Sequence, residues 1–284
     1  MVDHADDIEE LIKKNTLSDE QYLSLPETEF RARFRERLHH TLEIQTYSAA
    51  YNNKQLSGKQ TETALRLLHL WDVRGLAHEL PDYVFAQKLV EYANLLIAGE
   101  KVDLSEWQWH RLDPQEIELT EKVIYERRSV RHWTAERVPE DIVDKVLKAG
   151  LWAAHSCNLQ SIRYLVVREE KNPDLFVGAD ISGGPVHLVL LQDETVYSAN
   201  PNNPVKNRLL DCGAAAQNII LAAHAYGLGG VWLTFSEVMK DRLRKHFQLP
   251  EYISIGTYVD IGWPDQTPYP PQRISVQEAL LTDL

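Results

Sequence analysis

Cysteine is scarce. Cys157 and Cys212 are the only two in 284 residues, far apart and in no metal-ligand spacing. That excludes a disulfide scaffold and makes a reducing compartment the expectation. No run of about 18 apolar residues occurs, so no membrane span is expected. Positive charge is also short, with 30 Lys+Arg against 42 Asp+Glu and a net charge of -12. Such a balance disfavours a general nucleic-acid or anionic-membrane binder, although a local basic pocket remains open. The start, MVDHADDIEE, is acidic and has no apolar core, so it does not read as a secretory signal. A cytoplasmic protein is expected. HExxH, CxxC, GxSxG and Walker A sequences are all absent, which removes the simplest zinc-protease, dithiol, serine-hydrolase and P-loop readings.

What is present is an ordinary globular composition. A hydrophobic content of 44% suffices for a sizeable core, and at about 150 residues per domain the length suits two domains or one large one. The first 110 or so residues read as helix. Phe30, Phe34, Leu38, Leu42 and Ile44 recur at helical spacing within Glu27–Tyr51. Leu65, Leu68, Trp71 and Leu76 do so in a second stretch, and Tyr83, Val84, Leu89, Tyr92, Leu95, Leu96 and Ile97 in a third. Ser57-Gly58 separates the first two stretches, Pro81-Asp82 opens the third and Gly99 closes it. A small helical bundle without a chemical motif is the expectation.

Beyond Asp113-Pro114 helices and strands interleave. A helix over 139–154 precedes the β-branched run Arg163–Val167, and Gly183-Gly184-Pro185 leads into Val186–Leu191. A polar stretch over 193–207, with an Asn-Pro-Asn-Asn-Pro segment, is expected to be irregular. A long helix over 209–226 follows, then strands over 230–234 and 254–261 around a short helix. The pattern predicts α/β or α+β architecture. The 209–226 helix is apolar almost all round and rich in alanine, so burial on most sides is expected, in a domain centre or a subunit interface.

Three clusters carry chemistry. Glu126-Arg127-Arg128-Ser129-Val130-Arg131 sets three arginines within five residues, a multi-donor phosphate site or a solvated turn. His155-Ser156-Cys157-Asn158-Leu159-Gln160 packs donors and acceptors into one turn, suited to the polar edge of a ring or to an ordinary loop. A Cys157–His155 nucleophile is disfavoured, because residues two apart rarely hold that geometry. Gly227-Leu228-Gly229-Gly230 closes a helix and opens a strand, the reverse of a dinucleotide loop, so a helix C-cap is the simplest reading.

In this order the clusters resemble the FMN-dependent nitroreductase superfamily. Arg127-Arg128-Ser129-Val130-Arg131, followed by Trp133 and Val138-Pro139, is similar to its Arg-Arg-Ser-x-Arg opening. Asn158 and Gln160 match its Pro-Ser-Ser-x-Asn-x-Gln-Pro-Trp turn, whose proline, first serine and Pro-Trp pair are replaced here. Asp211-Cys212-Gly213-Ala214-Ala215-Ala216-Gln217-Asn218, then Gly227-Leu228-Gly229-Gly230-Val231-Trp232, match its helix and glycine turn. Arg273 fits a late arginine. The resemblance covers roughly residues 117–284. It implies an α+β fold, a mixed sheet flanked by helices and preceded by an all-helical domain, with domains at 1–112 and 113–284. It further implies a homodimer that shares FMN at its interface.

On that resemblance Arg127, Arg128, Ser129 and Arg131 hold the phosphate and ring edge, and Arg273 closes on the phosphate. His155, Ser156, Asn158 and Gln160 belong to the flavin turn, Gly229 and Gly230 admit the ring, and Thr234 sits near flavin N5. The implied activity is an FMN-dependent oxidoreductase passing electrons between NADH or NADPH and a small organic substrate. Alternatives are an oxidase or dehydrogenase acting on a peptide or natural-product intermediate, a reductive dehalogenase, or a non-catalytic flavin sensor. Flavin-fragmenting relatives carry Asp where Ser129 stands. Iodotyrosine dehalogenases present Glu, Tyr and Lys from a lid; Glu194, Tyr197 and Lys206 occur here at different spacing.

Overall fold

The computed structural model describes residues 17–52, 54–56, 58–179 and 184–281. The acidic start, Ser57 and Gly183 lie outside the described residues. The chain forms two compact units. The helical unit reaches to residue 110 and also gathers 154–161 and 192–211, two segments beyond the boundary expected at 112.

In the helical unit, Ser18 and Gln21 cap α1 (Asp19–Ser24) reciprocally. α2 (Glu27–Leu38) passes through a π turn, His39–Glu43, into α3 (Ile44–Asn52). Phe30, Phe34, Leu38 and Leu42 recur every fourth residue and all are buried. The wider π turn accommodates that spacing and leaves Ile44 facing outward, 45% exposed, against the sequence expectation. α4 (Gly58–Val73) and α5 (Pro81–Ile97) complete the bundle. Trp71 is its centre, with ring centres 4.9 Å from Phe34 and 6.0 Å from Phe30. Leu65, Val84 and Ile97 also belong to the apolar pattern but are exposed, because each helix buries only one stripe. The 3₁₀ turn Glu194–Ala199 packs Val196, Tyr197 and Ala199 with Leu159 and with Ala32 of α2.

The second unit is built on a four-stranded sheet in the order β1-β2-β4-β3: β1 (Ile162–Arg168), β2 (Val186–Asp193), β3 (Gly229–Leu233) and β4 (Ile253–Gly262). β3 runs antiparallel to β4 with Gly229 opposite Gly262. β2 is buried at every position, as a central strand covered on both faces must be. Its period of two sends Val186, Leu188 and Leu190 to one face and Val189 and Leu191 to the other. The first face is covered by α7 (Glu140–Leu151) and α8 (Lys206–Ala225). Met239 and Leu243 of α9 (Glu237–His246) cover the second. α6 (Pro114–Tyr125) precedes this core, and the short α10 (Val276–Ala279) follows it. The architecture is α+β.

α8 is buried or half-buried at most of its positions. Cys212, Ala215, Ala216, Ile219, Ile220 and Ala223 form a single buried face, while Leu209 and Leu210 are 73% and 63% exposed. Among the described residues no helix is long and apolar enough to cross a membrane.

Candidate functional site

The arginine segment follows directly on α6. Arg128 donates to the Tyr125 carbonyl at 2.7 Å and to the Arg127 carbonyl at 2.9 Å, closing the helix C-terminus, where a cation is favoured. Arg131 donates its backbone N–H to Gln266 Oε1 at 2.8 Å. Val130 N–H meets the Gly230 carbonyl at 3.1 Å and Trp133 Nε1 meets the Gly229 carbonyl at 2.9 Å. The segment is therefore laid along the start of β3. A Cβ on Gly229 would stand 2.7 Å from the Val130 side chain. Glycine at 229 is thus required by the chain's own packing, whether or not a ring approaches.

Arg127 is different. Its Nη1 is buried without a hydrogen-bond partner. Burial, with the charges of Arg273 and Arg128, pushes the guanidinium below its ordinary pKa. His224 is likewise pushed down, by burial first and then by Arg127, with Arg128 adding to this and Glu126 opposing it. A cavity of about 410 Å³ is lined by Arg127, Arg128, Ser129, Arg131, Gln266 and Arg273, and no carboxylate is among the described residues of its wall. The adjoining cavity of about 620 Å³ includes Arg127, His224, Gly229 and Gly230. Four arginines line the first cavity with no carboxylate among its described lining, while Glu126 stands in the adjoining one, and that arrangement can hold a phosphate through charge-assisted hydrogen bonds. Thr234 lies just past β3 and is exposed.

The helical unit holds His155, Ser156, Asn158 and Gln160 in a tight turn. Asp211, 3% exposed, organises it by accepting from Ser156 N–H at 2.9 Å and from Ser156 Oγ at 3.0 Å. The other carboxylate oxygen accepts from Tyr197 Oη at 2.9 Å. Ser161 Oγ and Gln192 Nε2 donate to that same phenol oxygen at 2.8 and 3.0 Å. Burial, with the nearby Asp211 charge, raises the Tyr197 pKa well above the ordinary tyrosine range, although the Ser161 hydrogen bond opposes it. Cys157, Asn158 and Gln160 all have left-handed backbones, with φ of 51°, 50° and 56°. Gln160 Nε2 donates to Asn158 Oδ1 at 3.1 Å. His155 is half-buried at the head of the turn.

The structure thus brings Arg127, Arg128, Ser129, Arg131 and Arg273 around one cavity, with Gly229 and Gly230 in its neighbour. It assembles the 155–160 group separately around Asp211. Glu194 and Tyr197, whose spacing already differs from the dehalogenase lid, are not free in the structure either: Tyr197 is 4% exposed and bonded to Asp211, and Glu194 pairs with Arg208. Sequence reading missed Gln266, which stands in an aperiodic coil and carries no signal. It also gave no role to Asp211, whose place at the head of the alanine-rich motif was the available clue.

The profile of the nitroreductase family matches residues 124–180 and 177–263. A Methanothermobacter thermautotrophicus protein bearing the name NADH dehydrogenase/NAD(P)H nitroreductase is 31% identical over 170 residues, 55% of this chain and 86% of that one. A protein of the same name from Archaeoglobus fulgidus is 32% identical over 151 residues, 50% and 84% of the two chains. A crystal structure of a Desulfovibrio desulfuricans protein described as a nitroreductase in complex with FMN superimposes with a TM-score of 0.53 at 28% identity. It covers 61% of this chain and 99% of that one. The arginine segment, the polar turn and the glycine strand all fall inside 124–263, and two relatives are matched over more than four fifths of their length; the chain belongs to the nitroreductase family.

Proposed function

We propose that the protein is an FMN-dependent oxidoreductase of the nitroreductase type, passing electrons between NADH or NADPH and a small organic acceptor. The observation that carries this reading is the acid-free cavity with four arginines and a buried guanidinium nitrogen left without a partner. A phosphate monoester carries nearly two negative charges and several acceptor oxygens, which matches that donor set. Arg127, Arg128, Ser129 and Arg273 would hold it. Arg131 would place a cation at the negative edge of the ring system. Ser156, Asn158, His155 and Gln160 would read the ring and the ribityl chain, and Gly230 and Thr234 would line the approach. Bound FMN supplies the redox chemistry; the protein supplies position and charge. The names of the relatives support NADH or NADPH as reductant.

A homodimer goes with this reading, seated on the outward side of α8, and a reducing, cytoplasmic setting fits two cysteines that form no disulfide. Leu209 and Leu210 on α8, and Ile117 and Ile124 on α6, are apolar side chains that a second copy would cover. Leu210→Glu should then lower the mass in solution. Ala215 is no test of the dimer, because it lies in the chain's own core.

The deciding experiment is FMN titration of the apoprotein beside Arg127→Ala and Arg273→Ala. Each substitution should weaken binding by about 1.5–3 kcal/mol, roughly 10- to 150-fold. Unchanged affinity in both would place the phosphate elsewhere, and a parent that takes up no FMN would end the reading. Anaerobic bleaching of the bound flavin by NADH or NADPH then identifies the reductant.

A further inference from the structure

We infer that α2 braces the turn at 155–160, with Arg35 as the positioning residue, so that the N-terminal helices set the shape of the flavin-binding turn. The inference rests on the FMN reading above. It starts from the cost of the turn. Three non-glycine residues sit in the left-handed region, which L side chains disfavour, so contacts from outside must hold them there. α2 provides these contacts. Arg35 Nη2 donates to the Leu159 carbonyl at 3.1 Å, 124 residues away in sequence. Its Nη1 is fixed at 3.1 Å from Asp82 Oδ2, in the first turn of α5, and Arg31 reaches the same oxygen at 2.8 Å. The guanidinium is therefore pinned on one side while it holds the turn on the other.

The neighbouring positions of α2 serve the same turn. Glu36 is buried and accepts from Asn200 Nδ2 at 3.3 Å; the same amide lies 3.3 Å from Cys157 Sγ. Ala32 packs in one cluster with Leu159. Both the Cys157 end and the Leu159 end of the turn are thus tied to α2. That helix lies outside residues 124–263, which match the family. In this chain the turn's shape depends on an element that the family profile does not include.

The test uses the full-length protein as parent, Arg35→Ala, Arg35→Lys and Leu67→Ala. Leu67 is in the bundle core, so its variant loses stability without touching the turn. Two quantities are read: FMN affinity by titration, and hydrogen exchange of the peptide spanning 155–161. Arg35→Ala should weaken FMN binding about tenfold, the scale of one charge-assisted hydrogen bond, and speed exchange at the turn. Arg35→Lys should recover part of the affinity, because one amine reaches Asp82 or the Leu159 carbonyl but cannot span both. Leu67→Ala should keep the parent's affinity and exchange at the turn. Parental affinity in Arg35→Ala, or equal weakening in Leu67→Ala, overturns the brace. If Arg35→Ala does not fold, the Lys variant carries the same comparison. A parent that binds no FMN defeats the FMN reading alone. Exchange then decides the brace, which stands if the turn loosens in the Arg35 variants only and falls if it does not.

Discussion

The arginine segment at 127–131 and the turn at 155–160 handle their polar groups in opposite ways. The first leaves donors unused: Arg127 Nη1 is buried without a partner, and the cations around it repel one another. The second engages its groups internally, with Ser156, Tyr197, Ser161 and Gln192 linked around Asp211. One region keeps a buried guanidinium nitrogen without a partner. The other is bonded internally around Asp211 and held in an unfavourable backbone shape. Unpaired charge and enforced backbone geometry are two ways of holding a local cost in a fold, and this protein has them in different segments. Substitutions should therefore act with different signs in the two places.

The largest effect is expected at Asp211. Asp211→Ala removes the acceptor for Ser156 N–H, Ser156 Oγ and Tyr197 Oη and strands those donors in a buried site. At about 1–3 kcal/mol per unsatisfied group, offset in part by relaxation, a loss of about 3–4 kcal/mol is expected. The urea midpoint measures it, and a loss below about 1 kcal/mol would show that the turn does not depend on this network.

Arg127→Ala should do the reverse in the apoprotein. Removing an unpaired cation stabilises the free protein slightly, by less than about 1 kcal/mol because the side chain is partly exposed, while FMN binding weakens. Melting with and without FMN checks both signs. A variant less stable than the parent without FMN would break the contrast between the two regions.

Gly229→Ala sharpens the contrast from the packing side. Its new methyl group would meet Val130 at 2.7 Å, and overpacking of that kind costs about 1–3 kcal/mol. Pairing it with Val130→Ala should recover most of the loss, as measured by denaturant unfolding. No recovery would mean that something other than Val130 enforces the glycine.

The smallest effect concerns a third polar network in the sheet. His187 is buried in β2 between Asp260 Oδ1 at 2.6 Å and Glu169 Oε2 at 2.9 Å, with Phe176 stacked at 3.7 Å. Burial alone would lower its pKa, but the hydrogen bonds to Asp260 and Glu169 outweigh it and the net shift is upward. A group with a raised folded pKa contributes stability below its unfolded value, about 6.5, and loses it as pH rises through the folded value. The parent's advantage over His187→Gln should therefore shrink between mildly acidic and alkaline pH. Urea midpoints across that range test it; a gap that widens with pH would reverse the assignment.

Much of this was legible from residue order. The period of four in Phe30, Phe34, Leu38 and Leu42 marked the bundle stripe, and the β-branched runs marked β1 and β2. Three arginines in five residues of an acidic chain marked a segment that the structure gathers around one cavity. Ile44 was misread because a π turn changes the phase of the helix, and no residue type announces a π turn. The burial of Tyr197 was not legible either, because its partner, Asp211, lies on a different element.

Composition, periodicity and motif order were enough to fix the element types and the α+β class, because each depends on neighbours a few residues apart. Which donors stay unpaired was decided only by the folded chain. Arg128 is occupied at a helix end while Arg127 is not, Ala215 is core while Leu210 is exposed, and Gly229 answers to Val130. The turn at 155–160 takes its shape from Asp211, 55 residues beyond Ser156, and from Arg35, 124 residues before Leu159. A hydrogen bond is satisfied or lost by atoms within about 3 Å in space, and sequence separation carries no record of that distance until the core has closed.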